Sequence, residues 1–236
     1  LFHLRNIKIR IFGKKVIQTE IDESSGSCLW VADENIADLQ LQRLTSHPQL
    51  MIITNRFDLY TRLKKSDVNI HFNDFGFKRV LKDPVDNIFY RISKEKPVVH
   101  HVINQAYRWL RPGGKLHLAG MKKEGVKTYI EKANALFGGN STTTINGSGI
   151  RTATLEKREQ ATPAPLDDKQ YQELRAIADG SEIEIYSKPG IFGWNKIDEG
   201  SRFLVSYLNT FIQSFGHSPQ NILDLGCGYG YLSIMA

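Results

Sequence analysis

Apolar and polar residues change rhythm several times along this chain, and each change marks an element. Leu4 to Gly13 alternates apolar with basic residues and Val16 to Ile21 resumes after the Gly13-Lys14-Lys15 turn, predicting a hairpin with one wet face. Cys28-Leu-Trp-Val-Ala32 then reads as a buried strand, followed by Ile36, Leu39, Leu41 and Leu44 at helical spacing. The alternation continues through strand Leu50 to Thr54, helix Arg56 to Lys64, strand Val68 to Phe72 and strand Asn87 to Tyr90. A helix from Pro97 to Leu110, strand Lys115 to Ala119 and a helix from Gly125 to Phe137 complete it. Strands separated by helices of this length predict an α/β fold with a mostly parallel, doubly wound sheet.

Between Gly138 and Pro165 the pattern breaks into Gly, Ser and Thr around Asn146-Gly147, then alternates again from Ile150 to Lys157, as in a closing hairpin. Thr162-Pro-Ala-Pro165 ends this stretch, so residues 1–165 are read as one domain and 166–236 as the start of a second. The second unit is predicted to run through a short helix at Asp167 to Ala178 and strand Ile183 to Tyr186. A Gly- and aromatic-rich loop from Gly190 to Gly200 leads to an amphipathic helix from Ser201 to Phe215, and strand Asn221 to Leu225 follows. That helix places Phe203, Leu204, Tyr207, Leu208, Phe211 and Ile212 on one side.

A balance of 41% hydrophobic and 24% charged residues argues against disorder. No apolar run reaches membrane-spanning length and no secretory leader is present, so a cytoplasmic setting without membrane partners is expected. Cys28 and Cys227 lack a second ligand at zinc spacing, and neither a metal nor a disulfide is predicted. The net charge of +6 favours an anionic partner without identifying one.

The chemistry concentrates in Asp224-Leu-Gly-Cys-Gly-Tyr-Gly230, a strand end, glycine loop and helix start. Gly226 and Gly228 let the backbone turn tightly and approach a ligand with no Cβ in the way. The dinucleotide fingerprint needs a glycine at its sixth position, which here is Tyr231; the third glycine comes one position earlier. A plain strand-turn-helix connection is the bland alternative, set against the conformational cost of three spaced glycines.

That loop spacing, with an Asp two residues before the first glycine, resembles S-adenosylmethionine-dependent methyltransferases. Ala106-Tyr-Arg-Trp-Leu-Arg-Pro-Gly-Gly-Lys-Leu-His-Leu118 resembles the helix, Pro-Gly-Gly turn and strand found late in such domains, yet it precedes the glycine loop. It therefore belongs to another copy of the fold. That copy has Asp33-Glu-Asn-Ile36, without glycine, where its own loop should lie. Lys94-Glu-Lys-Pro97, Ala119-Gly-Met-Lys-Lys-Glu-Gly-Val-Lys127 and Lys188-Pro-Gly-Ile-Phe-Gly-Trp-Asn-Lys-Ile-Asp-Glu-Gly-Ser-Arg-Phe-Leu204 narrow the match. They resemble the bacterial ribosomal RNA guanine-N2 methyltransferases of the RsmC and RlmG type.

The resemblance implies tandem Rossmann-like units, the first complete but degenerate and non-catalytic, the second only begun in this chain. It implies S-adenosyl-L-methionine as cofactor, held by Asp224, Gly226, Gly228 and Gly230, with Asp198 and Ser201 near the pocket; the last two equally suit a helix cap. It implies methylation of a guanine N2 amine in ribosomal RNA of the small subunit. The family's Asn-Pro-Pro-Phe-type motif does not occur here, and its usual position lies beyond Ala236. No catalytic residue is assigned, and the chain is expected to be inactive by itself. Lys94, Lys96, Lys122, Lys123, Lys127 and Arg151 are the candidate RNA-binding residues, each of which alone could be a solvated charge. A methyltransferase acting on a protein or small molecule, and a non-catalytic RNA-binding module, remain the alternatives.

Overall fold

A computed structural model describes residues 19–33, 47–66, 68–145, 149–158, 163–177, 183–217 and 219–236. The chain forms two compact units, Leu1–Asp168 and Lys169–Ala236.

The first unit is built on a seven-stranded sheet. Strands β1 (Cys28–Ala32), β2 (Leu50–Thr54), β3 (Asn69–Phe72), β4 (Val85–Arg91), β5 (Leu110–Met121), β6 (Ser141–Ile145) and β7 (Ile150–Glu156) lie in the order β3-β2-β1-β4-β5-β7-β6. The first five are parallel, and β7 pairs antiparallel with both β5 and β6. β1 has neighbours on both edges and every residue of it is buried, which is why its sequence is continuously apolar rather than alternating. Helices α1 (Phe57–Leu63), α2 (Lys96–Trp109) and α3 (Val126–Phe137) supply the crossovers. One core cluster joins Ile21, Cys28, Trp30, Leu50, Ile52, Phe89 and Ala119 to Leu59 and Leu63 of α1. The result is a mixed α/β, doubly wound fold with a mostly parallel sheet.

Several expectations change. The predicted hairpin lies outside the described residues up to position 18, and residues 19–21, read as the end of its second strand, are helical, with Ile21 fully buried in the core. The helix carrying Ile36 to Leu44 and the Asn146-Gly147 turn also lie outside them. Pro112-Gly113-Gly114 is not a stop before a strand. β5 runs through it, and the pairing with β4 jumps from Val85↔Leu110 to Asn87↔Lys115, an irregularity that absorbs the extra residues. Gly113 adopts φ 76° there and its N–H donates to the Lys157 carbonyl at 2.8 Å.

Two polar clusters hold the unit together. His100 and His101 of α2 are buried and bonded: His100 Nδ1 donates to the Asp167 carbonyl at 2.7 Å, and Asn104 Nδ2 donates to the Leu166 carbonyl while its Oδ1 accepts from the Leu166 N–H. Burial pushes the His100 pKa down, so its Nε2 accepts from Lys132 Nζ at 3.2 Å. Under the other face of the sheet, the His117 ring stacks on Phe89 with centroids 4.4 Å apart. His117 Nε2 donates to Asn87 Oδ1 at 3.1 Å, and Nδ1 accepts from the Thr154 hydroxyl at 3.2 Å. Burial, aided by Lys115, pushes the His117 pKa down to about 4, and burial, aided by Glu23, pushes Glu20 up to about 7. The 3.7 Å approach of Glu20 Oε2 to His117 Nδ1 is therefore not an ion pair at neutral pH.

The two groups act on stability in opposite directions. Neutral His117 favours the folded state above pH 6.5, an advantage lost as pH falls through about 4. Protonated Glu20 favours it below pH 4.5, an advantage lost as pH rises through about 7. Glu20→Gln should therefore gain stability relative to the native chain as pH is raised from about 5 to about 8, read by urea denaturation across that range. A difference between the two proteins that does not vary with pH would contradict this assignment.

Candidate functional site

The second unit positions the glycine loop. Strands β8 (Arg175–Ile177) and β9 (Ile185–Ser187) pair antiparallel, so the helix expected from Asp167 to Ala178 is corrected: Arg175–Ile177 is extended. The reason is the partner strand, which pairs Ile177 with Ile185 and buries both in a cluster with Ile197 and Tyr231. From Ser187 the chain passes through the Gly- and aromatic-rich loop to helix α4 (Glu199–Gln213), and helix α5 (Tyr231–Met235) follows the glycine loop.

Asp198 is the N-cap of α4: its Oδ2 accepts from the Ser201 backbone N–H at 2.9 Å and from the Ser201 hydroxyl at 3.2 Å. Both residues thus serve to start the helix and to fix where the preceding loop ends. The Asp198 N–H donates to the Tyr229 hydroxyl at 3.4 Å. Gly193, at φ 67°, lies so close to the Tyr229 ring that a Cβ would come within 3.2 Å of it. Sequence reasoning did not single out Gly193 or Tyr229, because this contact joins positions far apart in the chain and has no local signature.

Within the loop, Gly226, Gly228 and Gly230 all adopt left-handed backbone, with φ 83°, 58° and 86°. A side chain at these positions would be strained, and a Cβ on Gly226 would meet nothing within 4 Å. The Gly230 N–H closes the turn onto the Cys227 carbonyl at 2.8 Å, and the Ile234 N–H bonds back to Gly230 at 2.9 Å as α5 begins. Asp224 Oδ2 accepts from Ser233 Oγ at 2.8 Å, tying the entry of the loop to the helix after it. An open backbone cradle flanked by a carboxylate fits the amino-acid end of a sulfonium cofactor, whose ammonium group such a carboxylate attracts.

Residues 221–225, expected to be a strand, pair with no strand among the described residues, and Leu223 and Leu225 are 80% and 85% exposed. α4 buries no residue either: Phe203, Tyr207 and Phe211 stand exposed along it, Phe203 edge to face with Tyr207 and Phe211 edge to face with the exposed Phe215 just beyond its end. The amphipathic pattern is present, but none of the described residues covers it. Phe192 is exposed, and Trp194 lies beneath the Arg175 guanidinium at 5.4 Å.

The candidate RNA-binding residues occupy one end of the first unit. Lys94 follows β4, Lys96 opens α2, Lys122 and Lys123 form the 3-10 turn after β5, and Lys127 lies in the first turn of α3. Arg151 pairs with Gly120 at the carboxyl end of β5. All six therefore stand at the carboxyl end of the parallel strands. A buried ion pair fixes the turn: Arg91 Nη2 donates to both Glu124 carboxylate oxygens at 2.8 and 2.9 Å, and Glu124 Oε2 also accepts from the Met121 N–H at 2.8 Å. Lys127 pairs with Glu131 at 3.7 Å.

Replacing Asp198 with Ala should cost about 1 kcal/mol of stability in the second unit, because two donors at the start of α4 lose their acceptor. Hydrogen exchange at the first turn of α4 reads this directly; protection unchanged from the native chain would show that the cap contributes nothing.

Comparison with known proteins agrees with this geometry. Residues 182–236 match the family described as Methyltransferase small domain. The chain is 29% identical over 187 residues to the ribosomal RNA small subunit methyltransferase C of Buchnera aphidicola subsp. Cinara cedri, covering 79% of this chain and 50% of that protein. It is 26% identical over 159 residues to the protein of the same name from Shewanella piezotolerans, covering 67% and 44%. The chain thus spans about half the length of these curated relatives. The T. thermophilus 16S rRNA N2 methyltransferase RsmC, solved with AdoMet and guanosine, superposes with TM-score 0.74 at 24% identity over 94% of this chain and 58% of that one. In its sequence relatives, in the domain match at the glycine loop and in its fold, this chain is similar to RsmC-type methyltransferases.

Proposed function

We propose that the protein containing this chain transfers a methyl group from S-adenosylmethionine to the exocyclic N2 amine of a guanine in small-subunit ribosomal RNA, in the cytoplasm. The observation that carries the reading is the loop in which three successive left-handed glycines expose backbone beside Asp224, inside the segment that matches the methyltransferase domain. The cofactor supplies an electrophilic methyl group. Gly226, Gly228 and Gly230 would let its amino-acid end lie against the backbone, and Asp224 would orient it. Asp198 and Ser201 act by fixing the adjoining helix start. Holding the pair in a near-attack geometry is what such a site would contribute, and the amine gives up a proton as its nitrogen takes the methyl group from sulfur.

The first unit is read as a non-catalytic copy of the same fold. It has the doubly wound sheet, but Asp33-Glu-Asn-Ile36 stands at the end of β1 where a cofactor loop would need glycine. Its contribution is RNA positioning, with Lys94, Lys96, Lys122, Lys123, Lys127 and Arg151 meeting phosphates from one end of the sheet. The relatives' names, which refer to small-subunit ribosomal RNA, support the acceptor class.

The test is methyl transfer from labelled S-adenosylmethionine to small ribosomal subunits by the full-length protein, followed by nucleoside mass analysis. Label in N2-methylguanosine is the expected result. Label in ribosomal protein, or none in RNA, would overturn the acceptor assignment.

A further inference from the structure

Three aromatic rings stand together on the surface of the first unit with no part in the site described above. Phe57 opens α1 and is 64% exposed, and Phe72 closes β3, an edge strand among the described residues, and is 49% exposed. Their centroids are 5.6 Å apart at 73°, and Tyr60 lies 5.7 Å from Phe72 and 6.4 Å from Phe57. Lone exposed apolar residues are ordinary, but a contiguous aromatic patch keeps a large apolar area in water and marks an interaction surface.

Charge and placement say what would cover it. Residues 56–65 carry four cations, Arg56, Arg62, Lys64 and Lys65, against the single carboxylate of Asp58. Lys64 Nζ sits 5.2 Å over the Tyr60 ring, so a cation is held within the patch itself. Phe72 ends β3 and Phe57 follows β2, which places the rings at the carboxyl end of the parallel sheet. Lys94, Lys122, Lys123 and Arg151 stand at that same end, and β3 is four strand spacings, about 19 Å, from β5. Aromatic faces interleaved with cations bind single-stranded nucleic acid, where unpaired bases offer π-faces and the backbone offers phosphates. In a duplex those base faces are already stacked on one another.

We propose that Phe57, Tyr60 and Phe72 form a stacking platform for unpaired RNA bases, with Lys64 and Lys65 contacting the flanking phosphates. The proposal rests on the reading of RNA as the acceptor, and it adds that a single-stranded segment is the form engaged by this corner of the first unit.

The experiment is fluorescence anisotropy of the 236-residue chain with a labelled single-stranded oligoadenylate and, separately, an RNA duplex of equal length, over a range of salt. Phe57→Leu, which keeps apolar bulk and removes the ring, and Phe72→Ala should each weaken single-strand binding by about 5- to 100-fold without altering the salt slope. Duplex binding should be unchanged in both. Lys64→Gln with Lys65→Gln should instead flatten the salt slope, by about 0.7 for each phosphate no longer neutralised. Aromatic variants that bind the single strand as the native chain does, or that weaken on single strand and duplex equally, would overturn the platform while leaving RNA binding in place. A native chain that binds neither RNA at low salt would overturn the platform together with the RNA role of the first unit.

Discussion

A parallel strand cannot satisfy its own backbone or find its partner through a tight turn; it is held by neighbours that arrive through crossovers. The first unit meets that constraint fully. β1 lies between β2 and β4, all five of its residues are buried, and helices cross over the sheet. The second unit carries the residues with the most specific chemistry, yet its segment 221–224 has no strand beside it among the described residues and Leu223 and Leu225 face solvent. The loop that follows takes its shape locally, from three glycines at positive φ, the turn from Gly230 to Cys227 and the Ser233 to Asp224 bond.

The same constraint explains what the sequence could convey. A strand buried on both faces needs a continuous apolar run, so Cys28-Leu-Trp-Val-Ala32 and Leu50-Met-Ile-Ile-Thr54 are legible as strands, and the structure places β1 and β2 there. Helices α1, α2 and α3 are legible for a related reason, since their apolar spacing repeats with the helical turn. Arg175–Ile177 is not, because three residues give no period and only the pairing with Ile185–Ser187 decides their conformation. Residues 221–225 show the converse: an apolar run that reads as a buried strand remains unpaired among the described residues.

In the site, glycine spacing is legible because backbone conformation restricts residue choice. The capping by Asp198 is legible only as an alternative, since an Asp before a helix can serve a ligand or the helix itself; the bond to Ser201 places it at the N-cap. The contacts of Tyr229 with Gly193 and Asp198 carry no sequence signal, because they depend on how two distant loops meet. The basic residues of the first unit are scattered along the sequence, and only strand order reveals that they share one end of the sheet.

The central proposal is a division of labour, in which the second unit would hold the cofactor and the first would hold none. The stoichiometry of S-adenosylmethionine binding to the full-length protein, by titration calorimetry, addresses it most directly. The account predicts one site per chain, abolished by Gly228→Val. Two sites would contradict the reading of the first unit as a copy without a cofactor loop, and a single site that survives Gly228→Val would contradict the assignment of the cofactor to the glycine loop.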